Sequence, residues 1–589
     1  MGDAIARTQG APIVVLSGRP RTRQPGAQRG PAAQPLFRQT LLTLAALAAS
    51  LTLVSTVAGA TGGPVVTVTQ TVPGLNDVVA GGFEPPDVTV AAGPGFVVEL
   101  VNLAESIWRT GRGTPPQLVL TRDLDVFFGS NSDRLTDPRV LYDTTSERWF
   151  ASISDVDADE VLLAVSTTSD PTGTWTVAPF DASGCADQPR LGIADDIVVL
   201  TADLFDDCDT RGARALGSVI WTVNKAQLLA GSTTPAFSLF GPTADYSSVA
   251  PVQSLSSTAT EYAVSVDDRV SRVVHLLAVD GVPPLPVTVH EIATPVISLL
   301  ARPPVAAQPQ TGGIRPPIAT NDNRVLDAAW ENGKLWFTAN ARCVPPGDAI
   351  IRTCARVVEL ATATHAVTWD KDIGVAGAHV FFPAVRPDAD GNLVIVAGES
   401  GLKVLPEVIA VGRTPDGALT DPVVVAQSAG VYRGDRYGDY FGAARDPLDP
   451  RTVWVGGEAG TDVPSGSGWA TTVASVVVTP AGVTPPAVAG TAPPGVRAVA
   501  VVVHVGTPAH LAYRALDDGT SVRTLVVVRN AKQAIVYQAS TARKTLHAEQ
   551  RYSMLWPAKK VRGKFTFCVR TVSTTGMQSP ESCAPVTIR

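Results

Sequence analysis

Aspartate and arginine recur at the start of a repeated strand, and they are the residues of this sequence best placed to do chemistry. Equivalent positions of distant repeats meet if the repeats close into a ring. Such a ring of acids and guanidinium groups can bind a carboxylate, a sugar or a cation. The alternative is that each acid caps a turn and pairs with an arginine between repeats. The ligand-binding candidates are Asp137, Arg139, Asp187, Arg190, Arg436, Asp439 and Tyr440.

Paired carboxylates could also hydrolyse a glycosidic bond. Asp439 and Glu458 are the candidate catalytic pair, because Asp439 precedes the last repeat and Glu458 follows its second strand. The reaction needs the two carboxyl groups about 5–5.5 Å apart for retention, or about 6.5–9.5 Å for inversion. The sequence contains no G-x-S-x-G, H-E-x-x-H or P-loop motif. We therefore expect a protein that is not an enzyme, with a glycoside hydrolase or lyase as the alternative.

One acidic loop has the ligand chemistry for calcium. Asp155, Asp157 and Asp159 are the metal candidates, because hard carboxylate oxygens suit Ca²⁺. The loop is not a twelve-residue EF-hand that ends in Glu. We expect no cofactor other than such a structural Ca²⁺.

These residues must be positioned by a unit that recurs seven times. Each copy is a short apolar strand, a turn rich in Asp, Gly, Ser, Thr or Asn, and a second apolar strand. The copies are about 60 residues apart, which is the scale of a propeller blade with long loops. The sequence predicts an all-β, seven-bladed β-propeller over residues 84–480. Six blades is the alternative, since the copy at 251–266 is the weakest. The second strands begin near Phe96, Trp149, Ile197, Tyr262, Trp336, Leu393 and Trp454.

The N-terminal 60 residues look like an export signal. Six arginines precede an uncharged stretch, 41–60, that ends in Ala-Gly-Ala. This pattern is typical of a cleaved signal peptide with a long n-region, although 20 uncharged residues could also be a membrane anchor. We expect no membrane span after cleavage. The next segment, 61–83, holds a strand that could complete the last blade and close the ring.

Six cysteines follow the signal, in three pairs that are close in sequence. Proximity favours the local disulfides Cys185–Cys208, Cys343–Cys354 and Cys568–Cys583, although fifteen connectivities are possible. An even count behind an export signal indicates an oxidising compartment. We therefore expect an extracellular or cell-surface location.

A second domain follows a Pro-rich linker at 481–495. Residues 496–589 contain seven short alternating segments, which predicts an immunoglobulin or fibronectin type III-like β-sandwich. Trp556, Phe567 and Val569 are its expected core residues.

Composition agrees with an all-β protein. Charged residues are 17% and hydrophobic residues 45%, with 51 Gly and 47 Pro. The formal net charge is −7, so nucleic acid is excluded as a partner. Arginine is far commoner than lysine, which indicates a bacterial coding sequence. We expect a monomer.

Several segments resemble a family of exported bacterial β-propeller proteins of unknown function. They are EPPDVTVAAGPGFVVELVN, SDRLTDPRVLYDTTSERWFASI, LLAVSTTSDPTGTWTVAPF, DQPRLGIADDIVVLTADLF and RYGDYFGAARDPLDPRTVWVGGE. The resemblance implies the propeller fold and export rather than an activity. TTSDPTGTW (167–175) also resembles the sialidase Asp-box, with its Gly displaced by one position. An Asp-box stabilises a turn, and the arginine motif of a sialidase site is missing.

Three functions are compatible with these observations. The first is non-catalytic recognition of an extracellular glycan or protein, with the ring binding the ligand. The second is the glycoside hydrolase or lyase named above. The third is a purely structural surface protein.

Overall fold

A computed structural model describes residues 63–589 apart from short gaps at 112–113, 210–211, 268–269, 311–314, 429, 435, 461–467, 484, 486–495, 516–520, 533–534, 542–543, 548–549, 558–561, 573–578 and 580–581. The signal peptide or anchor predicted for residues 1–60 lies outside the described residues. So does most of the linker, including residues 486–495. The described chain is all-β.

The first strand, β1 (Val65–Asn76), stands apart in sequence from the sheet it joins. Sheets 1 to 3 then follow in order, each of four antiparallel strands. Sheet 1 consists of β2 (Thr89–Gly93), β3 (Phe96–Val101), β4 (Ala104–Gly111) and β5 (Thr114–Asp123), with the helix α1 (Leu124–Phe128) after it. Sheet 2 consists of β6 (Leu135–Asp143), β7 (Arg148–Asp155), β8 (Glu160–Ser166) and β9 (Trp175–Asp181). Sheet 3 consists of β10 (Cys185–Ile193), β11 (Ile197–Phe205), β12 (Ala215–Asn224) and β13 (Phe237–Thr243), with α2 (Lys225–Leu229) after β12.

Sheet 4 departs from this regularity. Its first strand, β14 (Ala250–Pro251), has only two residues. The next strand, β15 (Gln253–Ser254), pairs with strands of the neighbouring sheets rather than with sheet 4. The sheet continues with β16 (Glu261–Val266), β17 (Val270–Asp280), β18 (Thr288–Ala293) and β19 (Val296–Ala301). β15 pairs in parallel with β10 on one side and with the first strand of sheet 5, which begins at Val325, on the other. Sheets 3 and 5 therefore form one nine-stranded sheet.

Sheets 5 to 7 return to four antiparallel strands. Sheet 5 consists of β20 (Val325–Glu331), β21 (Lys334–Cys343), β22 (Arg352–Ala361) and β23 (Ala366–Ile373). Sheet 6 consists of β24 (His379–Pro387), β25 (Leu393–Gly401), β26 (Val404–Arg413) and β27 (Val423–Gln427). Sheet 7 consists of β28 (Gly442–Arg445), β29 (Thr452–Gly460), β30 (Trp469–Thr479) and β1. β1 runs antiparallel to β30, from Val65 opposite Thr479 to Asn76 opposite Ala470.

The seven sheets form a propeller-like ring. Their first strands contact one another in a closed cycle, β2–β6–β10–β14–β20–β24–β28 and back to β2. Inner strands are buried on both faces, which explains their continuous runs of valine, alanine and leucine. The fourth strands, such as β5, are largely exposed and carry mixed residues.

Apolar clusters between neighbouring sheets hold the ring together. Sheets 1 and 2 share one such cluster, sheets 2 and 3 the next, and the last joins sheets 6, 7 and 1. Trp149 shows how close the sheets approach: a Cβ built on Gly93 of sheet 1 would lie 2.3 Å from its ring. The ring therefore fixes the relative positions of the first strands.

Residues 496–589 form two further sheets. One has the order β31 (Val496–Ala498), β33 (Ala509–Ala515), β37 (Arg551–Trp556). The other has the order β32 (Val501–Val503), β39 (Ser582–Ile588), β38 (Gly563–Val572), β34 (Ser521–Arg529), β35 (Ile535–Ser540), and β36 (Lys544–Thr545) pairs with β34. Trp556, Phe567 and Val569 are buried in an apolar cluster made only of residues from this region.

Three disulfides are formed, and they are the three local pairs that sequence proximity favours. Cys185–Cys208 links the start of β10 to the loop after β11. Cys343–Cys354 crosses the β21–β22 hairpin, and Cys568–Cys583 joins β38 to β39. Within the described residues, no helix has the length and apolar character needed to cross a membrane.

Candidate functional site

The first strands of several sheets share an irregularity at the same end of the ring. Their pairing with the second strands shifts between Thr136 and Arg139, and again between Asp187 and Arg190. A left-handed residue lies at each shift: Asp137 has φ 58° and Gln188 has φ 48°. Asp87, ahead of β2, has φ 54°. A bulge of this kind redirects the side chains at the start of a strand.

Side chains of the preceding sheet hold this irregular backbone in place. The N–H of Asp137, in sheet 2, donates to Oδ1 of Asn102 at 2.7 Å. Asn102 follows β3 of sheet 1. Sheets 3 and 4 repeat the contact through Ser248 and Asp203 at 3.0 Å. Sheets 5 and 6 repeat it through Phe382 and Asn340 at 2.8 Å. A buried N–H needs such an acceptor, so the contact pins the start of each following sheet.

Three carboxylates converge where sheets 7, 1 and 2 meet. Asp87, Asp137 and Asp439 each place one carboxylate oxygen within 4.8 Å of the others, and all three are buried. We call these three residues the acid cluster. Both carboxylate oxygens of Asp87 accept hydrogen bonds. Its Oδ1 accepts from the N–H of Asp439 at 2.8 Å, and its Oδ2 accepts from Nδ2 of Asn102 at 2.8 Å.

Both carboxylate oxygens of Asp439 have hydrogen-bond donors, whereas one carboxylate oxygen of Asp137 has none among the described residues. Oδ1 of Asp439 accepts from Nδ2 of Asn321 at 2.6 Å, and its Oδ2 pairs with the guanidinium of Arg436. The Arg436 side chain is itself half exposed. Oδ1 of Asp137, in contrast, is buried without a hydrogen-bond partner among the described residues.

The cluster is electrostatically unfavourable for three charged carboxylates. Burial, then the charges of Asp439 and Asp137, raise the pKa of Asp87 well above its usual value. Burial, then the charges of Asp187 and Asp439, raise the pKa of Asp137 to about 7. These shifts have the sign expected for like charges held together away from water.

The predicted arginines lie deeper in the ring. Arg139 and Arg190 line a narrow channel of about 40 Å³ between the first strands, which is room for a few water molecules. The guanidinium carbon of Arg139 lies 3.5 Å from the ring centre of Tyr440, a cation–π contact. Arg190 donates to the carbonyl of Val325 and to Gln188. The hydroxyl of Tyr440 donates to the carbonyl of Pro138 at 2.9 Å.

A larger cavity of about 500 Å³ opens beside the acid cluster, and we call it the mouth cavity. Asp187 lines it, and the same residue is close enough to Asp137 to raise the pKa of that carboxyl. Its walls combine the Cys185–Cys208 disulfide with aromatic and charged side chains. Among the lining residues are Phe83, Arg134, Thr136, Phe205 and Asp207.

The candidate catalytic pair is not on the surface of this cavity. Glu458 is fully buried, and both of its carboxylate oxygens lack a hydrogen-bond partner among the described residues. Burial, then the charges of Glu84 and Asp87, raise its pKa well above the usual value. Asp439 is also buried, within the acid cluster.

The acidic loop with the Ca²⁺ candidates makes local contacts. Oδ2 of Asp155 accepts from Ser130 at 2.6 Å. Asp157 accepts from Ser132 at 2.9 Å and pairs with Arg134. Among the described residues, the acids whose ligand atoms converge are Asp87, Asp137 and Asp439.

Sequence reasoning missed the amides that organise the site. Asn102, Gln188 and Asn321 contact Asp87 or Asp439, and Gln188 also accepts from Arg324 at 2.9 Å. A signal existed for the first of them: an Asn or Asp lies late in the second strand or directly after it, in LVN (100–102), TAD (201–203) and TAN (338–340). Aligning the repeats on this position would have identified Asn102.

The chain is similar to several solved structures. No protein-family model matches the chain, and no curated protein sequence matches it. A protein of unknown function from Dyadobacter fermentans is similar at 14% identity and a TM-score of 0.35, over 70% of this chain and 99% of that one. A Trypanosoma rangeli sialidase is similar at 11% identity and a TM-score of 0.30, over 84% of this chain and 89% of that one. The GH93 α-L-arabinofuranosidase of Fusarium graminearum is similar at 11% identity and a TM-score of 0.32, over 58% and 92%.

Proposed function

We propose that this protein is a secreted or cell-surface recognition protein, in which a seven-bladed propeller binds an extracellular glycan in the mouth cavity. The seven sheets would be the blades, and residues 496–589 a fibronectin type III-like sandwich that spaces or docks the ring. The observation that carries the proposal is the mouth cavity itself. Its volume of about 500 Å³ is in the usual range for a small-molecule site.

The lining favours a sugar over an apolar ligand. Phe83 and Phe205 are partly exposed in the lining, and an aromatic ring can pack against the C–H face of a pyranose. Asp187 and Arg134 supply an acceptor and a donor for hydroxyl groups or an acidic substituent. Few polar groups around an apolar wall is the usual composition of a specific pocket.

Burial of the catalytic candidates favours recognition over catalysis. A sugar in the mouth cavity would not touch Glu458 or Asp439, since both are buried outside its lining. Catalysis needs an acid or base within hydrogen-bond reach of the reacting atoms. A hydrolase or lyase remains the alternative, and the test below includes it.

The test is a glycan array followed by calorimetry on the full chain, with a panel of glycosidase substrates in parallel. Asp187→Asn and Phe205→Ala should each weaken binding of the best glycan at least tenfold. Asp195→Asn is the matched control, because Asp195 lies at the opposite end of the same β10–β11 hairpin, bonded to Ser257. Binding without turnover supports recognition. Turnover of a substrate that is abolished by Asp439→Asn would contradict the proposal and support a glycoside hydrolase or lyase. The absence of both binding and turnover would contradict the proposal and support a purely structural role.

A further inference from the structure

The acid cluster has the composition of a cation site. Its three potential ligand atoms are all carboxylate oxygens, with no His or Cys in the group. Such hard oxygen donors suit Ca²⁺ better than a transition metal. The cluster is formed by Asp87 before β2, Asp137 in β6 and Asp439 before β28, so an ion there would join sheets 1, 2 and 7.

The spacing of the oxygens fits one ion. Ca²⁺–O distances are about 2.4 Å, so two ligands on opposite sides of the ion are about 4.8 Å apart. The ligand oxygens of Asp87, Asp137 and Asp439 all lie within 4.8 Å of one another. Three oxygens that are mutually 4.8 Å apart lie about 2.8 Å from their common centre, so small side-chain movements bring all three within Ca²⁺–O distance.

A second observation points to a ligand here. Asp137 is only 7% exposed, yet its Oδ1 has no hydrogen-bond partner among the described residues. A buried carboxylate oxygen without a donor costs free energy unless a cation or donor meets it. The oxygens of Asp87 and Asp439 already accept hydrogen bonds from Asn102, Asn321 and Arg436, which hold them in place but leave lone pairs for an ion.

We propose that Asp87, Asp137 and Asp439 bind one Ca²⁺, which bridges the first and last sheets of the ring. This site is separate from the acidic loop at 155–159 and does not depend on glycan binding. Because the ion joins sheet 7 to sheets 1 and 2, it would close the ring at its seam, where the two ends of the ring's sequence meet.

The test is titration of the EGTA-stripped full chain with CaCl₂ by calorimetry, together with thermal unfolding. We expect binding of one high-affinity ion and a rise in Tm on adding Ca²⁺. Asp137→Asn should weaken the affinity at least tenfold and remove the rise in Tm. It should not lower the Tm of the stripped protein, because one buried charge is lost.

Asp157→Asn is the matched control, since it removes the same charge from the acidic loop and should leave Ca²⁺ affinity unchanged. Absence of saturable binding, or loss of binding in Asp157→Asn but not in Asp137→Asn, would overturn the proposal. If Asp137→Asn does not fold, anomalous diffraction from crystals of the wild-type chain soaked in TbCl₃ tests the site. An anomalous peak between the three carboxylates supports the site, and a peak elsewhere or none refutes it.

Discussion

Single buried carboxyl groups should make the stability of this protein depend on pH, and Glu99 is the clearest case. Glu99 lies in β3, fully buried, with Oε2 accepting from the N–H of Leu75 at 3.1 Å. Burial raises its pKa to about 7. From about pH 4.5 to pH 7 the folded protein holds a proton that the unfolded chain has released. The free energy of unfolding therefore falls as pH rises through that window and is constant above it.

Glu99→Gln should remove this penalty. The pKa shift corresponds to about 3 kcal/mol, so the variant should have a higher Tm than wild type at pH 8. At about pH 3.5 the two Tm values should nearly agree, since the carboxyl is then mostly protonated in both states. Glu147→Gln, at an exposed turn, is the control and should show no such pH dependence. A Tm difference for Glu99→Gln that is equal at both pH values would show that burial is not the cause.

The sequence predicted which residues meet in the ring better than it predicted their surroundings. Asp137, Asp187 and Asp439 were singled out because they recur at one position of the repeat, and the ring places Asp187 and Asp439 close enough to Asp137 to raise the pKa of its carboxyl. The burial of Asp137 and Asp439 was not predictable. Asp87 and Asp137 have left-handed backbone, and although Asp tolerates this conformation better than most residues, the sequence does not mark which Asp adopts it.

At the level of elements, the seam of the ring depends on β1. This strand supplies the outer edge of sheet 7 through its pairing with β30, and it buries Val66, Val72 and Leu75. Each buried side chain is worth about 1.5–3 kcal/mol, so loss of the strand costs several kcal/mol. It would also leave β30 as an open edge, which promotes association.

A chain that begins at residue 77 should therefore have a Tm lower by roughly 10 °C or more, and should aggregate. A chain that begins at residue 63 is the control and should behave as the full chain does. Differential scanning fluorimetry and light scattering measure the two effects. Equal stability of the two chains would mean that the ring holds without its closing strand.

Strands were easier to predict than their connections. Valine-rich second strands such as β25, NLVIVAG in the sequence, are recognisable because both of their faces are buried. β15 was not predictable: it has two residues, Gln253 and Ser254, and it joins sheets 3 and 5 in parallel. The copy at 251–266 matched the repeat poorly because β14, its first strand, is equally short. Such pairing depends on neighbouring sheets rather than on local residue type.

At the scale of the molecule, residues 496–589 differ from the ring in charge as well as in fold. Residues 496–589 contain 14 Lys and Arg against 4 Asp and Glu, in a chain whose net charge is −7. Arg497, Arg514 and Arg551 stand opposite one another across β31, β33 and β37, and all are exposed. Like charges at directly opposite positions destabilise a sheet, so salt should stabilise this one.

The C-terminal region should fold on its own, because its buried apolar residues form a cluster without any member from the ring. Separate chains of residues 63–485 and 496–589 should each unfold cooperatively, with Tm values close to the two transitions of the full chain. Raising NaCl from about 0.05 M to about 0.5 M should raise the Tm of the 496–589 chain, through screening of its excess positive charge. Arg551→Glu should reduce that salt effect, since it replaces a repulsive cross-strand pair with an attractive one. Scanning calorimetry measures the Tm of each chain and of the Arg551→Glu variant at the two salt concentrations. An unfolded 496–589 chain would show that its two sheets need the ring, and a Tm that falls with salt would show that its charges are already compensated.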